Sequence, residues 1–208
     1  MHRAKNFPER GVYAITDGPR RDLIAAVEAA LIGGAVVVQY RDKSSDRDRR
    51  RAEALALKEA CDRHGVALII NDDVDLAADI GAAGVHLGAD DGEVAVARER
   101  LGADAIIGVS CYDSLDRAHA AAEAGADYLA FGAFFASPTK PDARRATVEL
   151  LRAAKSLGPP LVAIGGITPD NASPLIEAGA DFVAVVSGIF AAGDVEQATR
   201  RYVNLFPN

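Results

Sequence analysis

Short apolar runs alternate along this chain with longer stretches whose apolar residues recur at helical spacing. The apolar runs, rich in β-branched residues, begin near Gly11, Val36, Val66, Gly84, Ile106, Tyr128, Leu161 and Phe182. Helix-like segments fill the gaps at 22–32, 46–64, 94–101, 115–124, 148–157, 171–178 and 195–205, with a shorter one at 74–80. A weak internal repeat joins them: a helix-like stretch ends in small residues and an apolar run follows at once. Gly33-Gly34-Ala35, Gly125-Ala126-Asp127 and Gly179-Ala180-Asp181 are its clearest copies. Glycine at such a junction accepts the left-handed backbone that ends a helix, so the chain can turn directly into a strand.

Strict alternation of strand and helix predicts a parallel sheet, and eight units predict closure into a single-domain (β/α)8 TIM barrel spanning residues 1–208. An open doubly wound sheet is the alternative, but no Gly-x-Gly-x-x-Gly fingerprint follows the first apolar run.

Composition sharpens this picture. Half the residues are hydrophobic and only 6% aromatic, so the core must be built from Ala, Val, Leu and Ile, as suits strands covered by helices on the outside. The formal charge of −7 argues against a nucleic-acid partner, which would ask for a basic face. It leaves room for anionic small molecules held by a few clustered cations. No apolar run approaches the about 18 residues of a membrane span, and the first ten residues lack a signal core, so a soluble cytoplasmic protein is expected. Cys61 and Cys111 form no metal-type pair and are expected as free thiols, with a disulfide the lesser option.

In a barrel of this kind function sits at the C-terminal ends of the strands. The second strand ends Gln39-Tyr40-Arg41-Asp42-Lys43, and alternation puts Gln39, Arg41 and Lys43 on one face. A planar amide beside two cations suits a polar ring that carries an anion. For Lys43 a solvated surface role stays open.

The third strand runs into Asn71-Asp72-Asp73 and the fourth into Ala89-Asp90-Asp91, so adjacent strands present carboxylates at the same end. Acids beside cations suggest magnesium held together with phosphate. Helix capping is the competing explanation, and one acid of each pair can cap while the other binds metal. His86, inside the fourth strand, reads as a packed residue before it reads as a base.

Ser110 ends the fifth strand, and Ser137-Pro138-Thr139-Lys140 follows the sixth, with prolines that exclude regular structure. Gly165-Gly166 after the seventh strand and Ser187-Gly188 after the eighth fall where this fold usually binds phosphate. No Ser-His-Asp, Cys-His or zinc-ligand spacing is present.

Taken together these segments resemble the thiamine-phosphate synthase family. The likeness runs through Gln39 to Lys43, Ile70-Asn71-Asp72, Gly84 to Asp91, Gly108-Val109-Ser110, Ser137 to Pro141, Ala163 to Ile167 and Val185-Val186-Ser187, in order over nearly the whole chain. The resemblance implies transfer of an aminopyrimidinylmethyl group from its diphosphate to a thiazole phosphate, with Mg2+ as cofactor and small molecules as partners.

It implies that Gln39, Arg41, Lys43, Asn71, Ser110 and Lys140 hold the pyrimidine diphosphate, with Arg41, Lys43, Ser110 and Lys140 catalytic. Asp72 and Asp91 would bind magnesium, and Ser137, Thr139, Gly166, Val186 and Ser187 the thiazole phosphate. Tyr40, Asp42 and Pro138 are counted with the substrate contacts because the matched motifs contain them. Cys111-Tyr112, Ala136 and Ser137 depart from the commonest pattern, which frequently has Thr-His, Pro and Thr there. Thiazole tautomerase relatives share the fold but tend to lack the Gln-x-Arg-x-Lys run and the paired acids. A phosphate-binding regulator would not need the diphosphate cluster. Self-association is left open, with a homo-oligomer one option.

Overall fold

A computed structural model describes residues 7–136 and 145–206. Eight parallel strands close into a barrel in chain order, each paired with its sequence neighbours and β1 with β8. They are β1 (Gly11–Ile15), β2 (Ala35–Tyr40), β3 (Ala67–Asn71), β4 (Gly84–Leu87), β5 (Ile106–Tyr112), β6 (Tyr128–Phe131), β7 (Leu161–Ile164) and β8 (Phe182–Val185). The helices are α1 (Leu23–Ile32), α2 (Arg47–His64), α3 (Val74–Ile80), α4 (Val94–Leu101), α5 (Leu115–Glu123), α6 (Val148–Ala154), α7 (Ser173–Glu177), α8 (Ser187–Phe190) and α9 (Val195–Val203).

Alternation along each strand divides the core in two. One set, including Val12, Val38, Tyr40, Leu68, Ile70, Val85, Leu87, Ile107 and Leu129, packs with the apolar faces of the helices. The other, including Tyr13, Val37, Ile69, Ile106, Tyr128, Val162 and Phe182, fills the barrel, and Phe7 stacks on the Tyr128 ring with centroids 5.1 Å apart. Each fully buried Leu or Ile here is worth about 1.5–3 kcal/mol.

Helix ends follow their sequence signals. The Asp46, Asp73, Ser114 and Asp194 side chains accept from the backbone N–H three residues on, which starts α2, α3, α5 and α9. Gly125 and Gly179 take φ of 88° and 108° directly before β6 and β8, as the repeat predicts. The four-residue α8 is an element the pattern did not announce, being too short for a helical period to show.

Two glycines allow close approaches inside the barrel wall. At Gly108 a Cβ would fall inside the Tyr128 ring, and at Gly84 one would strike the Ile106 carbonyl. Both cysteines are buried and free, and burial pushes each thiol up to about 12, so neither is ionised near neutral pH. Among the described residues no helix is long and apolar enough to cross a membrane.

Candidate active site

The strand ends bring the polar residues to one rim. Gln39 pairs in register with Ile15 and Ile69, Asn71 with His86, and Ser110 with Ala130. Immediately above β2, Thr16 fixes the arginine. Its buried Oγ1 accepts from the Arg41 N–H at 2.8 Å and donates to the Arg41 carbonyl at 3.3 Å. The Arg41 side chain has no hydrogen bond or ion pair among the described residues. Thr16 had no motif to reveal it.

The Tyr40 and Asp42 side chains turn the other way, towards the helix layer. The Tyr40 hydroxyl donates to Glu53 at 2.6 Å. The buried Asp42 carboxylate pairs with Arg49 at 2.7 Å and accepts from the Ser44 N–H at 2.7 Å. Glu53 and Arg49 are on α2, so the alternation that sends Gln39 inward sends its neighbour to the helix layer. These two residues anchor the segment that carries Arg41 and Lys43.

The acids separate as capping chemistry allows. Asp73 caps α3 and pairs with Arg50 at 2.9 Å, so its carboxylate is engaged. Asp72 has φ of 64°, a left-handed conformation rare outside glycine and of a kind that persists where surroundings enforce it. Its N–H donates to the His86 carbonyl at 2.8 Å. Its carboxylate meets the Lys43 ammonium and accepts from Asn71 Nδ2 at 2.6 Å.

Asp91 accepts from the Gly88 N–H at 2.8 Å, while the residue starting α4 is Glu93, with no side-chain cap. Neither Asp90 nor Asp91 is therefore spent as a cap there. The Asp72 and Asp91 carboxylates are near enough for Asp91 to push the Asp72 carboxyl up. Burial holds the Asp72 carboxyl above the usual carboxylate range; Lys43 opposes this and Asp91 adds to it.

Lys43, Asn71, Asp72, Asp91, Arg50 and Arg100 help line a cavity of about 610 Å³. Among the described residues no three His, Cys, Asp or Glu side chains gather as a metal cage. Two carboxylates suit magnesium nonetheless, which takes one or two carboxylates and completes its shell with phosphate oxygens and water.

Inside the barrel, His86 links two tyrosines to the rim. Its Nδ1 is 2.9 Å from the Tyr128 hydroxyl and its Nε2 is 2.8 Å from Ser110 Oγ. Tyr128 and Tyr13 hydroxyls are 2.8 Å apart, and Gln39 Nε2 donates to Tyr13 at 2.8 Å. Burial pulls His86 down to about 4, so it is neutral near pH 7. The sequence reading of His86 as packed holds, but its ring is also bonded at both nitrogens. Tyr13 and Tyr128 escaped that reading because each sits in an apolar run where an aromatic looks like simple core.

Arg117, also unannounced, braces the same rim. It donates to the Ser110 carbonyl at 2.6 Å and the Gly88 carbonyl at 2.9 Å, and its guanidinium lies over the Tyr112 ring.

Across the mouth the site is backbone-rich. Gly165 and Gly166 take φ of 103° and 63°, and a Cβ on Gly166 would stand 2.6 Å from the Ala136 carbonyl oxygen. The Asn171 side chain donates to the Gly166 carbonyl at 3.1 Å and accepts from the Thr168 N–H at 2.8 Å, which holds the turn. Val186 leaves β8 and exposed Ser187 opens α8. Ser137, Pro138, Thr139 and Lys140 lie outside the described residues.

Known proteins resemble this chain in sequence and fold. The family described as thiamine monophosphate synthase matches residues 12–189. A thiamine-phosphate synthase of Halorhodospira halophila is 57% identical over 194 residues, covering 93% of this chain and 92% of the relative. One from Nitrosococcus oceani is 55% identical over 203 residues, covering 96% and 94%. Among solved structures, a thiamine phosphate pyrophosphorylase from Pyrococcus furiosus superposes with a TM-score of 0.85 at 35% identity, covering 95% of each chain. The chain belongs to the thiamine monophosphate synthase family.

Proposed function

We propose that this chain is a thiamine-phosphate synthase whose barrel mouth joins an aminopyrimidinylmethyl diphosphate to a thiazole phosphate. The thiazole nitrogen forms a bond to the methylene carbon, the carbon–oxygen bond breaks, and diphosphate leaves with that bond's electron pair. The observation that carries the reading is the division of the mouth. Carboxylates and cations gather after β2, β3 and β4, while a neutral turn and a hydroxyl follow β7 and β8.

In this reading Gln39, Asn71 and Ser110 hold the pyrimidine. Arg41, Lys43 and Lys140 face the diphosphate and stabilise the charge that grows on it as it departs. Gly166, Val186 and Ser187, with Ser137 and Thr139, receive the thiazole phosphate. The electron-rich aminopyrimidine carries the developing methylene cation and the thiazole nitrogen already has a free lone pair, so no protein nucleophile is needed.

Asp72 and Asp91 would hold Mg2+, which supplies neutralising charge to the diphosphate oxygens. Lys43, paired with Asp72, opposes the upward push that burial gives that carboxyl. The partners are small molecules, the expected location is the cytoplasm, and a homo-oligomer is compatible with the fold. Expression in a bacterial strain deleted for its own thiamine-phosphate synthase tests the activity. Growth without thiamine is expected, and a folded, well-expressed chain that fails to restore it contradicts the proposal.

A further inference from the structure

A side-chain hydrogen-bond chain crosses the barrel from Gln39 through Tyr13, Tyr128 and His86 to Ser110. Both ends are residues given above to the pyrimidine, while the three middle members are buried and far apart in sequence. The direction of the hydrogens in such a chain is a counting problem. Gln39 donates its Nε2–H to Tyr13, so the Tyr13 oxygen is an acceptor. The Tyr13 hydrogen then has one partner, the Tyr128 oxygen, and the Tyr128 hydrogen has one, His86 Nδ1. With Nδ1 accepting, neutral His86 carries its hydrogen on Nε2 and donates it to Ser110. Both tyrosine hydrogens and the histidine hydrogen are then used.

Reversing the last three bonds leaves the Tyr13 hydrogen without an acceptor while two donors crowd its oxygen. A doubly protonated His86 leaves the same orphan.

We infer that Tyr13, Tyr128 and His86 are positioning residues that set the recognition pattern shown to the pyrimidine: Gln39 presents its carbonyl oxygen as an acceptor, and Ser110 presents its hydroxyl hydrogen as a donor. Gln39 Oε1 has no partner among the described residues, and Ser110 Oγ has His86 alone, so both groups retain the capacity this pattern requires. Acceptor and donor together complement an amino group next to a ring nitrogen. A 4-oxo pyrimidine, with its carbonyl beside a ring N–H, meets the opposite pattern at both places. The relay therefore makes the site selective for the amino ring. Gly108 belongs to the device, since any side chain there would occupy the space of the Tyr128 ring. This inference rests on the pyrimidine assignment made above.

Two measurements test it separately from that assignment. In wild-type protein labelled with 15N-histidine and free of substrate, NMR should show His86 as the neutral Nε2–H form. A protonated Nδ1 overturns the relay whatever the enzyme's substrate.

The second is kinetic and uses Tyr128→Phe, which keeps the ring and its stacking on Phe7 but removes the hydrogen that His86 Nδ1 accepts. The KM for the aminopyrimidine diphosphate should rise about tenfold, on the scale of one hydrogen bond to a ligand. The preference for the 4-amino over the 4-oxo diphosphate should fall by about the same factor. The KM for thiazole phosphate should stay within about twofold. A purely structural role would lower kcat and melting temperature while leaving the amino/oxo preference intact, and that outcome overturns the inference. If the NMR result holds but neither pyrimidine is a substrate, the pyrimidine assignment falls and, with it, the selectivity claimed here.

Discussion

The Asp91 carboxylate accepts the Gly88 backbone N–H at 2.8 Å, directly after β4. That bond leaves the second carboxylate oxygen for other work and fixes its bearing relative to Asp72. If the pair holds magnesium, Asp91→Asn should lower turnover at limiting magnesium by at least about tenfold, the lower range seen when a metal's supporting groups are removed. The melting temperature should scarcely change, because this residue lies at the rim rather than in the core. Normal turnover at limiting magnesium would remove Asp91 from the ligand set.

Ser187 offers a hydroxyl where β8 gives way to α8. Ser187→Ala should weaken thiazole-phosphate binding by about 1 kcal/mol, the worth of one ordinary hydrogen bond. Titration calorimetry should find pyrimidine diphosphate binding unchanged. Equal losses for both ligands would show that the mouth is one shared anion site.

Lys140 lies outside the described residues, so its role rests on the Ser137-Pro138-Thr139-Lys140 motif alone. A cation acting on the departing diphosphate contributes in the transition state more than in the bound complex. Lys140→Ala should cut the single-turnover chemical rate by about 10²–10³, the scale of one lost charge-stabilising donor. Affinity for the pyrimidine diphosphate should fall far less. An unchanged chemical rate would make it a surface lysine.

His86 ties stability to pH. Its folded value of about 4 lies below the ordinary 6.5, so between those limits the unfolded chain binds the extra proton. Stability is therefore fully present above about pH 6.5 and is lost as pH falls towards 4. Between pH 7 and pH 5 this residue should cost about 2 kcal/mol of unfolding free energy. Urea unfolding of wild type and His86→Asn at both values checks it. The wild type should lose more than the variant by about that amount, whereas parallel losses would assign the pH dependence to other groups.

Much of the barrel is legible in the sequence because its signals are local. A small-residue junction followed by an apolar run marks several strands, and the starts near Gly84, Ile106, Tyr128, Leu161 and Phe182 fall where the strands begin. Division of the acids was legible only as a choice. Whether Asp72 or Asp73 caps α3 depends on the left-handed backbone at Asp72, which two adjacent carboxylates do not reveal. The contiguous motif 39–43 does not show the alternation that turns the Tyr40 and Asp42 side chains towards α2. The relay was out of reach: Tyr13 and Tyr128 are 115 residues apart, and their meeting depends on barrel closure and on the space above Gly108.

The central claim is the joining of two anionic substrates at one mouth. Purified protein should be mixed with magnesium, the aminopyrimidine diphosphate and the thiazole phosphate, and the products followed by phosphorus NMR. Thiamine phosphate and free diphosphate are expected in equal amounts, with neither formed when the thiazole phosphate or the metal is left out. Folded protein that yields no thiamine phosphate, or that releases diphosphate without the thiazole, would contradict the account.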